Sequence, residues 1–229
     1  LHDERVARLT ADEMIALLVD AEWDDRNNRR ISRRIRSARF RYKANIEQLD
    51  FEVDRNLDRN TMNRLAECNF IDKHENILIT GSTGIGKSYL ASALGNQACM
   101  MGYKVYYAST SKLFGMLKMA KADGSYIKET ARIEKQDLLI LDDFGMQPFD
   151  NHSRSALIEI IEDRHGKHST IITSQVPVRQ WHDVIGEQTI ADAVLDRIVH
   201  NAYRIELAGE SLRRRQRGNT GQQQESLTN

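Results

Sequence analysis

Eight consecutive residues, Gly81-Ser82-Thr83-Gly84-Ile85-Gly86-Lys87-Ser88, have the types and spacing needed to hold a polyphosphate. Glycines let the backbone fold close around the ligand, so that successive N–H groups and a following helix N-terminus point at the negative charge. A lysine at the seventh position reaches the β- and γ-phosphates, and the hydroxyl of the eighth takes one place on Mg²⁺. Lys87 and Ser88 fill those roles here, and Tyr89 opens the helical pattern behind them. The flanks are right as well. Ile77-Leu78-Ile79 reads as a buried strand before the loop, and Tyr89-Leu90-Ala91-Ser92-Ala93-Leu94 as a helix after it. A glycine turn that binds nothing would need neither flank. Gly81 to Tyr89 are therefore the candidate ATP-binding residues.

A second run, Leu138-Leu139-Ile140-Leu141-Asp142-Asp143, is a strand pattern ending in two acids. Opposite a phosphate loop, the first acid holds Mg²⁺ directly or through water, and the second orients or deprotonates the attacking water. Asp142 and Ser88 are thus the candidate metal residues, with Asp143 the candidate base. An aspartate base is one methylene shorter than a glutamate, which implies slow turnover. A third apolar run, Ile171-Ile172-Thr173-Ser174-Gln175, ends in polar groups that would lie between the first two motifs, with Ser174 or Gln175 beside the γ-phosphate. Arg197 lies on a helical pattern, where it would serve either as a finger reaching a neighbouring subunit's γ-phosphate or in an ion pair with Asp192 or Asp196. The histidines have no spacing that suggests catalysis or metal binding.

The net charge of zero conceals a local asymmetry. Arg26, Arg29, Arg30, Arg33, Arg34, Arg36, Arg39, Arg41 and Lys43 follow one another with no acid between them, over an intermittent apolar stripe of Ile31, Ile35, Ala38 and Phe40. Arginines three and four apart on a helix repel unless an anion neutralises them. A polyanion partner is the reading favoured over a solvated charged face, and nucleic acid over acidic lipid, because the apolar stripe is too modest for membrane insertion. Glu210 to Arg217 forms a second basic cluster.

The elements that must position these groups follow from the rest of the chain. At 229 residues, with 40% apolar and 29% charged side chains, one α/β domain with a smaller appendage is expected. Residues 1–60 read as helical, with Thr10-Ala11-Asp12-Glu13 as a helix start, and form a basic N-terminal domain for DNA or a partner; within the connector at 44–76, Ile46 to Phe51 reads as a short turn region and Asn60-Thr61 opens another helix running to Ile71. Residues 61–217 form the nucleotide-binding domain, and 218–229, rich in Gln, Ser and Asn, are expected to be disordered. Strands are expected at 77–80, 105–108, 138–141, 170–173 and 203–207, with helices at 87–101, 111–121, 150–164 and 188–200. Strands alternating with helices mean a parallel sheet whose ligand lies at the strands' carboxyl ends. Cys68 and Cys99 make no metal spacing or disulfide framework, no apolar run is long enough to span a membrane, and the cytoplasm is the expected compartment. The chain opens at Leu1 within a helical pattern, so the natural protein is expected to extend upstream.

The combination resembles the IstB family, the AAA+ ATPase helpers of bacterial insertion sequences, and more distantly the DnaC-type helicase loaders. The residues that carry the resemblance are Asn76 to Ser88, Ala122-Asp123-Gly124-Ser125-Tyr126, Leu138 to Gly145, Thr173 to Pro177 with Trp181-His182, Ala193 to Ala202, and Gly209 to Arg213. It implies an AAA+ P-loop fold behind a small helical domain, with ATP and Mg²⁺ as cofactors. Its further implications are self-assembly on double-stranded DNA with little sequence preference, a partner transposase, a nucleoid-associated location in a bacterial cell, and slow hydrolysis stimulated by DNA and assembly. By position it assigns Ser174 as sensor, Arg197 as the finger in trans and Arg213 as a second sensor, and the Asp-Asp pair matches the family. A helicase loader, a small-molecule phosphotransferase and a nucleotide-gated scaffold are the alternatives. Nothing in residues 1–60 calls for a small acceptor.

Overall fold

The computed structural model describes residues 10–53 and 55–212. The first element, α1 (Ala11–Ala38), starts where the sequence indicates. Thr10 caps it, accepting from the Glu13 N–H (3.3 Å), while the Glu13 carboxylate accepts from the Thr10 N–H (2.8 Å). This reciprocal box satisfies donors that the first helical turn leaves open. Residues 11–26 are exposed throughout. Only in the second half do Ile31, Ile35 and Ala38 turn towards the protein body. At 100° per residue these three share a face opposite Arg29, Arg33 and Arg36.

The helix ends at Ala38, earlier than the helical reading of residues 1–60 implies, and the turn region expected at 46–51 and the helix expected from 60 follow it. Arg39 takes a left-handed conformation (φ 61°) and ends α1, and only a 3₁₀ turn at Ile46–Gln48 follows before α2 (Arg59–Ala66). Packing explains the change. Ala38, Ala44 and Leu49 are buried in the same apolar cluster as Ile77 and Ile79 of the sheet, with Phe40, Ile46, Phe51 and Leu57 against it. Side chains at such spacings reach one core from an extended chain, not from one face of a helix. The packing therefore has no break at residue 60.

After α2, capped by Asp58, come α3 (Asn69–Asp72), β1 (Asn76–Gly81), α4 (Lys87–Met100), β2 (Val105–Ser109) and α5 (Thr110–Asp123). Then follow α6 (Tyr126–Glu134), β3 (Leu138–Phe144), α7 (Asn151–Arg164), β4 (Ser169–Ser174), α8 (Trp181–Ile185), α9 (Gln188–Val199) and β5 (Ala202–Leu207). All five strands start within one residue of their expected positions, and β3 runs three residues past its expected end, to Phe144. Helices α6 and α8 were not expected: they are nine and five residues long, too short for a clear period. Trp181 of α8 is nonetheless fully buried against Phe144.

The sheet is parallel throughout, in the order β2-β3-β4-β1-β5. Alternation along each strand separates two cores. Ile77, Ile79, Tyr107, Ile140 and Ile171 face α4 and the end of α1, whereas Leu78, Tyr106, Leu139, Leu141 and Ile172 face α5 to α9. This order brings the carboxyl ends of β3, β4 and β1 side by side. No helix among the described residues is long and apolar enough to cross a membrane.

Candidate nucleotide site and the basic helix

The phosphate loop runs from the end of β1 into α4. Gly84 (φ +82°) and Gly86 (φ +104°) hold backbone conformations that side-chain-bearing residues rarely adopt, and Gly86 is the residue from which α4 starts. The first-turn N–H groups of a 14-residue helix are thereby open at the loop. Ile85 is fully buried and anchors the loop from below. Lys87, 5% exposed, donates from Nζ to the carbonyls of Gly81 (2.8 Å) and Ser82 (2.9 Å). Burial lowers its pKa from the ordinary lysine value, with Asp143 and Asp142 pulling the other way. Thr83, Gly84, Gly86, Lys87, Ser88 and Tyr89 line a cleft of about 410 Å³ together with Arg41, Asp143 and Gln175. The Tyr89 ring packs on Tyr42, and its hydroxyl donates to Gln48 (3.3 Å). Ser82 leans instead towards the Gly209 carbonyl.

The acids of β3 close this cleft. Regular pairing of β3 with β4 is interrupted between Leu141 and Phe144, and Asp143 sits at φ 58°. A non-glycine residue held there stores backbone strain, which concentrates at functional sites. Asp142 is completely buried, yet its carboxylate is well provided for. Thr173 Oγ1 donates to Oδ1 (2.5 Å), while the Tyr107 hydroxyl (2.5 Å) and Arg41 Nη1 (3.2 Å) donate to Oδ2. Burial, followed by this hydrogen bond, holds the Tyr107 hydroxyl well above the ordinary tyrosine pKa, so it remains a donor. Thr173 Oγ1 also accepts from the Asp143 N–H (3.1 Å), which ties the strained residue to β4.

Ser174, which the resemblance assigns as sensor, is turned away from the cleft. In β4, Thr173 follows Ile171 in alternation onto the α4 side, whereas Ser174 shares the side of Ile172. Its hydroxyl is buried, donating to the Phe144 carbonyl (2.7 Å) and accepting from the Val176 N–H (3.0 Å). Gln175, just past the strand, meets the phosphate loop through Thr83 Oγ1 (2.5 Å). Thr173 and Tyr107 escaped the sequence reading. Two-residue periodicity anchored on Ile171 would have flagged Thr173, but nothing in one sequence pairs Tyr107 with Asp142.

Arg197 lies at the other end of the molecule. The Asn76 N–H, at the start of β1, donates to the Asn201 carbonyl just beyond α9 (2.8 Å). The six residues of β1 then separate this end from the loop, a distance of roughly 20 Å at about 3.3 Å per residue. The guanidinium pairs with Glu162 (2.6 Å) and donates to the Ala193 carbonyl (2.8 Å). The acids expected to hold it face histidines instead: Asp192 meets His182 and Asp196 meets His200. Arg213 lies outside the described residues.

The basic run divides into three groups. Arg26 and Arg29 pair with Glu22 and Asp25, one turn back and outside the run, so these two are not unneutralised as the sequence suggested. Arg30 donates to Asn27 (2.8 Å), whereas Arg33, Arg36, Arg39 and Lys43 are exposed and Arg34 is half-buried. Arg41 is the exception. Expected to face DNA, it points at the nucleotide cleft and pairs with both Asp142 (3.2 Å) and Asp143 (3.0 Å).

A glycine cradle, a buried lysine at a helix N-terminus and oxygen donors on neighbouring strands fit a nucleoside triphosphate. The Ser88 hydroxyl and the acids are hard donors of the kind Mg²⁺ takes. This loop, on a parallel sheet of this order, defines a P-loop nucleotide-binding protein of the AAA+ class. The profile described as IstB-like ATP binding protein matches residues 4–220, and the chain belongs to that family.

Among its relatives, y4pL of Sinorhizobium fredii (strain NBRC 101917 / NGR234), named as an insertion sequence ATP-binding protein, is 46% identical over 210 residues, covering 92% of this chain and 86% of the relative. The counterpart in insertion sequence IS5376 of Geobacillus stearothermophilus is 32% identical, covering 90% and 82%. Two solved structures share the fold. DnaI superposes with a TM-score of 0.62 at 24% identity, covering 74% of this chain and 90% of that one. The replication initiator DnaA, bound to AMPPCP and single-stranded DNA, gives 0.61 at 20% identity, covering 75% and 52%.

Proposed function

We propose that this protein is a Mg²⁺-dependent ATPase that assembles on duplex DNA with little sequence preference and assists the transposase of an insertion sequence. The observation that supports this most is the meeting of the phosphate loop, the Asp142–Asp143 pair and the junction of a basic helix at one cleft. In this reading the N–H groups at the start of α4 and Lys87 bind the phosphates. Ser88 and Asp142 hold Mg²⁺, which when bound neutralises phosphate charge. Asp143 orients the attacking water and accepts its proton, while Gln175 and Thr173 serve as sensors in place of Ser174. Arg197, remote from its own loop, acts on a neighbouring subunit's nucleotide after leaving Glu162. Residues 1–60 carry the DNA- and partner-binding role, with Arg29, Arg30, Arg33, Arg34, Arg36, Arg39 and Lys43 as phosphate contacts. The names of the insertion-sequence relatives support transposition over helicase loading.

Sedimentation with a mixed-sequence duplex, in ATP, in ADP and without nucleotide, tests this. Large ATP-dependent protein–DNA assemblies are expected, and their loss in Lys87→Ala. A monomer that ignores DNA in every state would overturn the assembly reading. Substituting Arg33 and Arg36 with alanine should flatten the plot of log affinity against log salt by about 2, near 0.9 per lost phosphate contact, and weaken unrelated sequences alike. An unchanged slope would remove α1 from the DNA interface.

A further inference from the structure

Arg41 belongs to the basic run by sequence and to the nucleotide cleft by geometry. The structure gives a reason for that placement. Asp142 is wholly buried and Asp143 partly so, and two adjacent carboxylates out of bulk water need a compensating cation. Arg41 supplies it, placing one guanidinium nitrogen within 3.2 Å of Asp142 Oδ2 and 3.0 Å of Asp143 Oδ2. Its side chain is 46% exposed, so it reaches in from solvent and is not sealed beneath the acids. Its backbone is held on one side. Phe40 packs edge-on against Tyr107 (6.2 Å between centroids), and the absence of a side chain at Gly95 makes room for that ring.

We propose that Arg41 is a stand-in for the metal: it neutralises Asp142 and Asp143 while the site is empty and gives up that place when Mg²⁺ arrives with nucleotide. The inference rests on the function proposed above. Asp142 Oδ2 already accepts from Tyr107 and Arg41, and Oδ1 from Thr173. Asp142, if it holds a divalent ion, would have to release one of these donors. The Tyr107 hydroxyl is neutral and internal, whereas the guanidinium is a like charge on an exposed arm, and it is the group repelled. Metal binding therefore carries a cost, the loss of the Arg41 contacts, and a consequence, the release of residues 41–43 behind the C-terminus of α1. This links the metal-binding acids directly to the DNA-facing helix within one subunit.

The test is the affinity of a fluorescent, non-hydrolysable ATP analogue, measured in Mg²⁺ and in EDTA, for the intact chain, Arg41→Gln and Arg41→Lys. Amide-hydrogen exchange of residues 39–45 is followed in four states: free, with Mg²⁺, with analogue in EDTA, and with both. Removing a charge-assisted contact that opposes the metal should enlarge the Mg²⁺-dependent gain in affinity roughly tenfold in Arg41→Gln. The EDTA affinity should hold steady, and Arg41→Lys should fall between. In the intact chain, exchange at 41–43 should accelerate with Mg²⁺ and analogue together and not with analogue in EDTA. Equal weakening of Arg41→Gln in both conditions would overturn the proposal, because it would make Arg41 a direct phosphate ligand. So would an unaltered Mg²⁺ gain with unaltered exchange. An intact chain that binds no analogue, and is indifferent to Lys87→Ala, would refute the ATPase reading itself.

Discussion

Gly95 lies in the middle of α4, where alanine would ordinarily be the better residue by about 1 kcal/mol. Here the surroundings oppose it. A Cβ at this position would lie 2.5 Å from Phe40 Cε1, 3.0 Å from Phe40 Cζ and 2.7 Å from Ile140 Cδ1. Carbon atoms settle at about 3.5–4.0 Å, so the neighbours must retreat by roughly 1 Å. Ile140 is fully buried in the central sheet, whereas Phe40 is half-buried on the chain leaving α1, so Phe40 is the group that yields. Overpacking of this kind costs about 1–3 kcal/mol. Set against the helix-propensity gain, Gly95→Ala should be net destabilising by roughly 0–2 kcal/mol. Removing the ring lifts two of these three contacts and leaves the one with Ile140. In a Phe40→Leu background the same change should be less destabilising, giving a coupling of about 1–2 kcal/mol in a double-mutant cycle of urea unfolding curves. Equal stabilisation by Gly95→Ala in both backgrounds would refute the claim that Phe40 docks against α4. The displaced ring should also loosen Arg41, so Gly95→Ala should share the exchange behaviour of a released 41–43 segment even without nucleotide.

Two other outcomes are expected. Thr173→Val keeps the shape of the side chain but takes one donor from buried Asp142 and one acceptor from the Asp143 N–H, which should cost about 1–3 kcal/mol in chemical denaturation and weaken Mg²⁺-dependent nucleotide binding; Ser174→Ala should leave nucleotide binding nearly unchanged, and the reverse ranking would restore Ser174 as sensor. Asp150 caps α7, and hydrogen bonds from the Ser153 hydroxyl and N–H, helped by Lys118, hold its carboxyl down to about 2. Because the folded value lies below the unfolded one, this contribution is complete above about pH 4 and is lost as pH falls towards 2. Asp150→Ala should cost about 1 kcal/mol at neutral pH, and Asp150→Asn, which caps without titrating, should remove this part of the acid sensitivity; an Asn variant with the same acid profile as the intact chain would show that the cap is not the titrating group.

What the sequence determined by itself is local. Four glycine-loop and lysine positions between a strand and a helix define a phosphate site because the chemistry depends on backbone freedom and short-range spacing. The same holds for the Thr10–Glu13 helix start and for the apolar runs of β1, β3 and β4, which are buried on both faces, while β5 is marked by alternation. What it left open depends on contacts between distant residues. The sequence points to Ser174 or Gln175 beside the γ-phosphate, and the fold turns Thr173, not Ser174, to the side of β4 that faces α4. The sequence leaves Arg197 either a finger or the partner of Asp192 or Asp196, and in the fold Glu162 on another helix holds it. Arg41 is one cation among nine, and a left-handed residue at Arg39 with a ring seated beside Gly95 turns it from the exposed basic set into the acids' partner. Charge attracts charge over distances that only the folded chain sets, so composition located the basic run and tertiary packing assigned its members.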